Sequence, residues 1–120
     1  MDSYSKKFVV GLADTAKEVG SGDLEVLATP KMIAMVENTA KEFLGKELAD
    51  EETSVGTIVE AKHLRPSKVG AEITVNVKYE TQEKTMIGFS FEVYDGTTLV
   101  GVGTHQRAVV LTEVFLNKIR

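Results

Sequence analysis

The chain has 120 residues, the size of one ordinary domain, and a two-domain enzyme with a dinucleotide-binding half is therefore excluded. Apolar residues make up 42% and charged residues 27%, a balance that supports a buried core and is typical of neither a disordered nor a membrane-spanning chain. The net charge of -4 argues against a nucleic-acid surface, and the absence of cysteine excludes disulfides, thiolate nucleophiles and cysteine-bound metals.

The sequence contains no sign of a membrane span or a secretion signal. No window approaches the roughly 20 apolar residues that a transmembrane helix needs. The short apolar run near the N-terminus is soon followed by Asp14, Lys17 and Glu18, which a signal peptide would not carry. We therefore expect a cytoplasmic protein, folded as a single domain over residues 1–120, with neither a membrane nor a nucleic acid as partner.

The first elements in chain order are a strand and a helix. The strand is predicted from Lys7 to Val19 and the helix over residues 30–44, with Thr29 as its N-cap and Gly45 just past its end. At about 100° per residue, six apolar side chains of the helix form one stripe that should face a core: Met32, Ile33, Val36, Ala40, Phe43 and Leu44. Glu37 lies at the border of this stripe, so we expect its carboxylate to be partly buried.

The rest of the chain is predicted to be β-structure. Alternating apolar residues and turn signals delimit four strands: Thr53–Leu64, Ala71–Gln82, Met86–Tyr94 and Leu99–Leu111. Because a single apolar helix needs a sheet around it, this order predicts an α+β fold in which a curved antiparallel sheet wraps the helix, the hot-dog arrangement. Pairing of two such sheets in a homodimer would cover the edge strand; a tetramer is also open.

Few side chains in the sequence can carry chemistry. The two histidines, His63 and His105, titrate near neutral pH and are candidate acids or bases, although a strand histidine is more often a surface or satisfied residue. Glu37 is equally well explained as a solvated side chain at the flank of the helix or as a salt-bridge partner, and helix capping alone explains Thr29. Since Thr29 and Glu37 lie eight residues apart on one helix, they could share a cleft with His63, and the three groups would suit acid–base or acyl chemistry.

Three weaker patterns have mainly structural explanations. Gly56 within a strand indicates a bulge or a close approach of a ligand to the backbone. Gly101 and Gly103 lie inside a strand, so they are more typical of space for a packed helix than of a dinucleotide fingerprint. A basic cluster, defined as Lys62, Arg65 and Lys68, could bind phosphate but is more simply a solvated strand end. The histidines lack a ligand spacing with carboxylates, so no metal is expected.

Three separated segments together resemble the fluoroacetyl-coenzyme A thioesterase-like branch of the hot-dog thioesterase superfamily. They read VLATPKMIAMVENTA, SVGTIVEAKHLRPSKVGAEITVNV and GVGTHQRAVV, and the likeness extends from about Leu24 to Val110. The resemblance implies a catalytic group of threonine, glutamate and histidine. By position in the shared motifs, these residues are Thr29, Glu37 and His63.

The same resemblance implies a substrate and the residues that hold it. Gly56 is expected to line the acyl-carbonyl site and Arg107 to face the substrate pocket. The implied function is an acyl-coenzyme A thioesterase that needs no cofactor. The segment from Glu18 to Ala28 lacks the phenylalanine that the lid of fluoroacetyl-specific members carries, so the substrate is expected to be an ordinary short- or medium-chain ester.

Two other functions stay open for such a chain. A non-catalytic module would bind an acyl-coenzyme A or another small ligand in the same cleft, with Glu37 as an orienting group only. A purely structural dimer would keep Glu37 and His63 as a buried hydrogen-bonded pair. Whether Glu37 attacks the thioester itself or activates a water molecule is likewise open.

Overall fold

A five-stranded antiparallel sheet forms most of the molecule. The computed structural model describes residues 2–120, and in these residues the sheet has the order β1-β3-β4-β5-β2. Its strands are β1 Ser3–Val9, β2 Glu52–His63, β3 Glu72–Glu83, β4 Met86–Asp95 and β5 Thr98–Leu111. The three consecutive strands β3, β4 and β5 occupy the centre, so β1 and β2 are the two edges.

One long helix, α2, spans Thr29–Gly45 and packs against β1, β2 and β3. The predicted apolar stripe is buried except for Ile33, which is half-buried. Met35 and Thr39 are buried as well, because the sheet covers a wider arc of the helix than the stripe alone. The Thr39 hydroxyl is satisfied there, since it donates to the Met35 carbonyl oxygen at 2.8 Å.

The strands follow the predicted alternation, with bounds that differ by one residue at most. Ile73, Val75 and Val77 of β3 are buried, as are their predicted counterparts on β4: Ile87, Phe89, Phe91 and Val93. Gly101 of β5 faces α2, and a methyl group placed on it would lie 2.7 Å from the Met32 sulfur. The expectation that the two strand glycines make room for the helix is therefore confirmed at Gly101 and wrong at Gly103, where a methyl group would meet the β2 backbone and Phe91 instead.

The predicted strand from Lys7 to Val19 is wrong beyond Val9. A short 3₁₀ turn, Leu12–Asp14, and a one-turn helix α1, Ala16–Val19, follow β1 instead. Thr15 explains the difference because its hydroxyl accepts a hydrogen bond from the Glu18 amide and donates to the Leu12 carbonyl. These local bonds outweigh the apolar pattern, and Leu12 is left 63% exposed.

The chain ends in a short helix, α3, at Thr112–Asn117. Within residues 2–120, no helix is long and apolar enough to cross a membrane.

Candidate active site

A threonine and a histidine meet where the start of α2 approaches the end of β2. Thr29 is the first residue of α2, and its Oγ1 lies 2.8 Å from His63 Nδ1 on the last residue of β2. The predicted N-cap role of Thr29 is wrong: the capping position belongs to Ala28, whose side chain makes no capping bond. The threonine hydroxyl is instead used between two elements, where it fixes the plane of an imidazole ring.

His63 is neutral near pH 7 in this setting. Burial lowers the pKa of the His63 imidazole below its ordinary value of 6.5. The other ring nitrogen, Nε2, is buried and has no hydrogen-bond partner within residues 2–120. A neutral ring that is held at Nδ1 and uncommitted at Nε2 is suited to take up one proton there and pass it on.

A cavity of about 310 Å³ opens beside this pair. Its walls are mostly small or apolar and come from α1, the loop before α2 and the turn after β2: Ala16, Ser21, Val26, Leu27, Pro30, Leu64 and Pro66. Thr29, His63 and Arg65 supply its polar groups. Of the basic cluster, Arg65 is thus the member that lines this cavity, Lys62 lines a separate one, and all three residues are exposed.

Glu37, from the middle of α2, lies in a different environment from the Thr29–His63 pair. Its side chain is 41% exposed, in agreement with the predicted border position, and its Oε2 lies 3.9 Å from Arg107 Nη1. The same oxygen rests on the backbone of Gly56, since a methyl group placed on Gly56 would lie 2.5 Å from it. The pairing of β2 with β5 shifts register between Gly56 and Ile58, so the predicted bulge is confirmed and the carboxylate packs against it.

Arg107 on β5 is buried beneath Glu37. Its Nε donates to Ser54 Oγ at 2.9 Å and its Nη2 to the Ser54 carbonyl oxygen at 3.0 Å. Burial lowers the pKa of the Arg107 guanidinium and the Glu37 charge opposes this, so the group remains a cation at neutral pH. The resemblance implied that Arg107 faces the substrate pocket; in the fold it contacts the carboxylate from the interior side.

His105 lies next to Arg107 on the same face of β5 and is 2% exposed. Its Nδ1 is 2.8 Å from the Ile58 carbonyl oxygen and its Nε2 is 3.1 Å from Arg107 Nη1. Burial is the main reason why the pKa of His105 is lowered, and the Arg107 charge adds to it. Both ring nitrogens are therefore engaged, and His105 is not available as the acid or base that the sequence left open.

The candidate residues thus form two groups. Thr29 pairs with His63, and Glu37 pairs with Gly56 and Arg107, while no hydrogen bond or ion pair within residues 2–120 joins the carboxylate to His63. Eight residues of helix separate Thr29 from Glu37, a rise of about 12 Å. Sequence reasoning missed Ser54, since a strand serine carries no signal for its role under an arginine. No three His, Asp or Glu side chains of the described chain are placed to hold a metal ion.

Comparison with known proteins gives a consistent result. The family model described as fluoroacetyl-CoA-specific thioesterase matches residues 10–113. The fluoroacetyl-CoA thioesterase of Streptantibioticus cattleyicolor is 30% identical over 96 residues, which cover 80% of this chain and 69% of that one. A variant of the fluoroacetyl-CoA-specific thioesterase FlK, solved with fluoroacetate and CoA, has a TM-score of 0.91 and 26% identity over 95% of this chain and 96% of its own.

A more distant structure agrees on the fold. A hot-dog-like protein from Thermanaerovibrio acidaminovorans has a TM-score of 0.89 and 23% identity, with 98% of this chain and 87% of that one covered. The predicted α+β hot-dog arrangement, a curved antiparallel sheet around one long helix, is therefore confirmed.

Proposed function

The chain belongs to the fluoroacetyl-CoA-specific thioesterase family, and we propose that it hydrolyses a short- or medium-chain acyl-coenzyme A to the free acid and coenzyme A with Thr29, Glu37 and His63. A thioester hydrolase is the activity that this membership supports. The observation that carries the residue assignment is the Thr29–His63 hydrogen bond, 2.8 Å long, in the wall of the 310 Å³ cavity.

Each proposed role follows from the contacts of the residue. Glu37 either takes a proton from a water molecule that attacks the thioester carbonyl carbon, or attacks that carbon itself to form an anhydride that water then hydrolyses. In both routes the carbon–sulfur bond breaks, and His63, neutral at rest, first takes up at Nε2 a proton released by the water and then passes it to the thiolate. Thr29 holds the imidazole ring in place for this transfer, because its hydroxyl is bonded to the opposite nitrogen, Nδ1.

Gly56 provides the place for the acyl carbonyl. Because it has no side chain, the backbone of the bulge is open where the Glu37 carboxylate rests. A thioester carbonyl beside this backbone would lie next to the carboxylate and above the buried Arg107 cation. A nearby positive charge and an exposed backbone are the features that stabilise negative charge developing on a carbonyl oxygen.

A homodimer would bring the two groups of residues together. β2 is an edge strand of 12 residues, and Ile58 in its middle is 51% exposed. If β2 pairs antiparallel with the same strand of a second copy, its His63 end lies opposite the Gly56 half of the other strand. Glu37 would then approach the partner subunit's His63, whose buried Nε2 lacks a bond within residues 2–120.

The cavity walls support the substrate that we propose. Arg65, with Lys62 and Lys68 near it along the chain, offers positive charge for the phosphates of coenzyme A. The small side chains of Ala16 and Ser21, which line the same cavity, leave room for an acyl chain. Fluoroacetyl selectivity is not part of the proposal, because the segment from Glu18 to Ala28 has no aromatic residue. A cytoplasmic location and a single domain stay predictions of the sequence.

The test is thiol release from a series of acyl-coenzyme A esters of increasing chain length. Wild type is compared with Glu37→Gln and with Glu47→Gln, a matched control that removes the same charge from an exposed position just after α2. We expect hydrolysis by wild type and the control, and at least a 100-fold loss in Glu37→Gln. Hydrolysis by Glu37→Gln at the wild-type rate would contradict the catalytic role of Glu37.

The same series separates hydrolysis from binding alone. A module that only binds would show a rise in melting temperature with one ester and no released thiol. That result would overturn the proposed activity. Sedimentation of wild type tests the dimer, and a monomer that remains fully active would remove the role given to β2 pairing.

A further inference from the structure

Two buried polar residues of β5, His105 and Arg107, form a network under Glu37, and the proposed reaction uses only the charge of Arg107. His105 is 2% exposed and Arg107 is 5% exposed. Both residues lie on the same face of β5 as Gly101 and Gly103. Polar groups buried this deeply must be satisfied by specific partners. Arg107 has such partners on two sides, with Ser54 bonded to Nε and Nη2 and His105 to Nη1.

The hydrogen-bond partners determine the tautomer of His105. A carbonyl oxygen only accepts, so Nδ1 must carry the proton that is donated to the Ile58 carbonyl at 2.8 Å. An arginine only donates, so Nε2 must offer its lone pair to Arg107 Nη1 at 3.1 Å. His105 is therefore a neutral Nδ1–H imidazole, and its ring is held further by stacking on Phe89, with centroids 6.4 Å apart.

We propose that His105 is a positioning residue: it accepts a hydrogen bond from Arg107 and so fixes the guanidinium in the orientation that holds the Glu37 carboxylate against Gly56. Ser54 fixes one edge of the guanidinium and His105 the other. With both edges fixed, Nη1 stays 3.9 Å from Glu37 Oε2. This inference rests on the proposed function, since it matters for turnover only if Glu37 is catalytic.

The geometry distinguishes this role from two simpler ones. His105 cannot transfer protons to a substrate, because both nitrogens are engaged and the ring is buried. A merely space-filling residue would need no acceptor, and an apolar side chain would leave the Arg107 Nη1 and the Ile58 carbonyl without their bonds. The acceptor at the Nε2 position is thus the feature of His105 that the site requires.

A matched pair of variants isolates that acceptor. His105→Asn can still donate to the Ile58 carbonyl but is too short to reach Arg107, whereas His105→Gln is one methylene longer and can place its carbonyl oxygen at the Nε2 position. We expect His105→Asn to lower kcat about 10- to 100-fold with KM changed less than about 2-fold, and His105→Gln to recover kcat to within about 3-fold of wild type.

Several results would overturn the proposal. Equal rates for the two variants would show that the acceptor is unimportant, and a loss confined to KM would indicate substrate binding rather than positioning. Melting temperatures of both variants show whether a loss of rate is a loss of folded protein. If neither variant folded, Ser54→Ala would test the same guanidinium from its other edge, and an unchanged kcat there would equally refute the role.

A measurement without substrate keeps this inference separate from the proposed function. In ¹⁵N NMR of the wild-type histidine side chains at pH 7 to 8, we expect His105 to be the Nδ1–H tautomer and the Arg107 Nε proton to exchange slowly. The Nε proton should exchange faster in His105→Asn than in His105→Gln. An Nε2–H tautomer would refute the network, whereas an inactive wild type with the expected spectra would refute only the proposed hydrolysis.

Discussion

Replacing Gly56 by alanine tests whether the position of the Glu37 carboxylate controls the rate. An alanine methyl group would lie 2.5 Å from Glu37 Oε2, which is 0.9 Å inside the 3.4 Å at which ordinary contact begins. It would also lie 3.3 Å from His105 Cε1, which is fixed in the core. The carboxylate is the one group that can yield, since it ends a flexible side chain that is 41% exposed.

The displacement gives the expected magnitude. A shift of about 1 Å in a reacting group can cost about 100-fold in rate, so we expect kcat of Gly56→Ala to fall about 100-fold. Stability should change little, by less than about 1 kcal/mol, because the buried Arg107 keeps its hydrogen bonds to Ser54 and His105 and the backbone at Gly56 does not need a positive φ. Thiol release from the best acyl-coenzyme A ester and the melting temperature of the same sample measure the two quantities.

Gly88→Ala is the matched control for this variant. Its methyl group would also meet the end of an exposed side chain, the Thr81 hydroxyl, but on β4 and away from Glu37. We expect Gly88→Ala to keep the wild-type rate. A Gly56→Ala protein that is folded and as active as this control would refute the argument that the bulge holds the carboxylate in its working position.

Three further predictions concern the histidines and the core. Thr29→Val should lower kcat about 10-fold and Thr29→Ser should keep it, since only the serine retains a hydroxyl for His63; the thiol-release assay compares them. Burial lowers the pKa of His63 and His105 below 6.5, so as the pH falls the unfolded chain takes up protons before the folded chain does. The contribution of these two histidines to the free energy of unfolding is therefore complete above about pH 6.5 and is lost as the pH falls below it. The melting temperature should therefore decrease from pH 7 to pH 5, less steeply in His105→Gln, and a flat profile would contradict the buried neutral rings. Gly101→Ala, which meets the buried Met32 sulfur at 2.7 Å, should cost about 1–3 kcal/mol in urea unfolding while kcat of the folded protein is unchanged.

The main elements of the fold could be predicted because their patterns extend over many residues. The stripe of α2 and the alternation on β3 and β4 repeat often enough to outweigh single exceptions. The segment after Val9 could not be predicted in this way. Its apolar residues Leu12 and Val19 are exposed, and a single hydroxyl, that of Thr15, decides the local structure through hydrogen bonds of short range.

The sequence offered the residue types of the candidate site but not their arrangement. Motif resemblance singled out Thr29, Glu37 and His63, but the separation of Glu37 from the other two depends on where β2 crosses the helix. The role of His105 depends on the register of β2 and β5, which places the Ile58 carbonyl within reach of its Nδ1. No periodicity encodes that register, because the bulge after Gly56 shifts it.

The strand order also has a consequence for folding. β3, β4 and β5 follow one another along the chain and pair as neighbours, so their contacts are local and close quickly, whereas β2 joins β5 only across the whole of this meander. β2 is therefore expected to dock late and, as one of the two edges of a single copy, to open before β3, β4 and β5. Since it carries both Gly56 and His63, mild denaturant should abolish turnover while most of the sheet still resists hydrogen exchange.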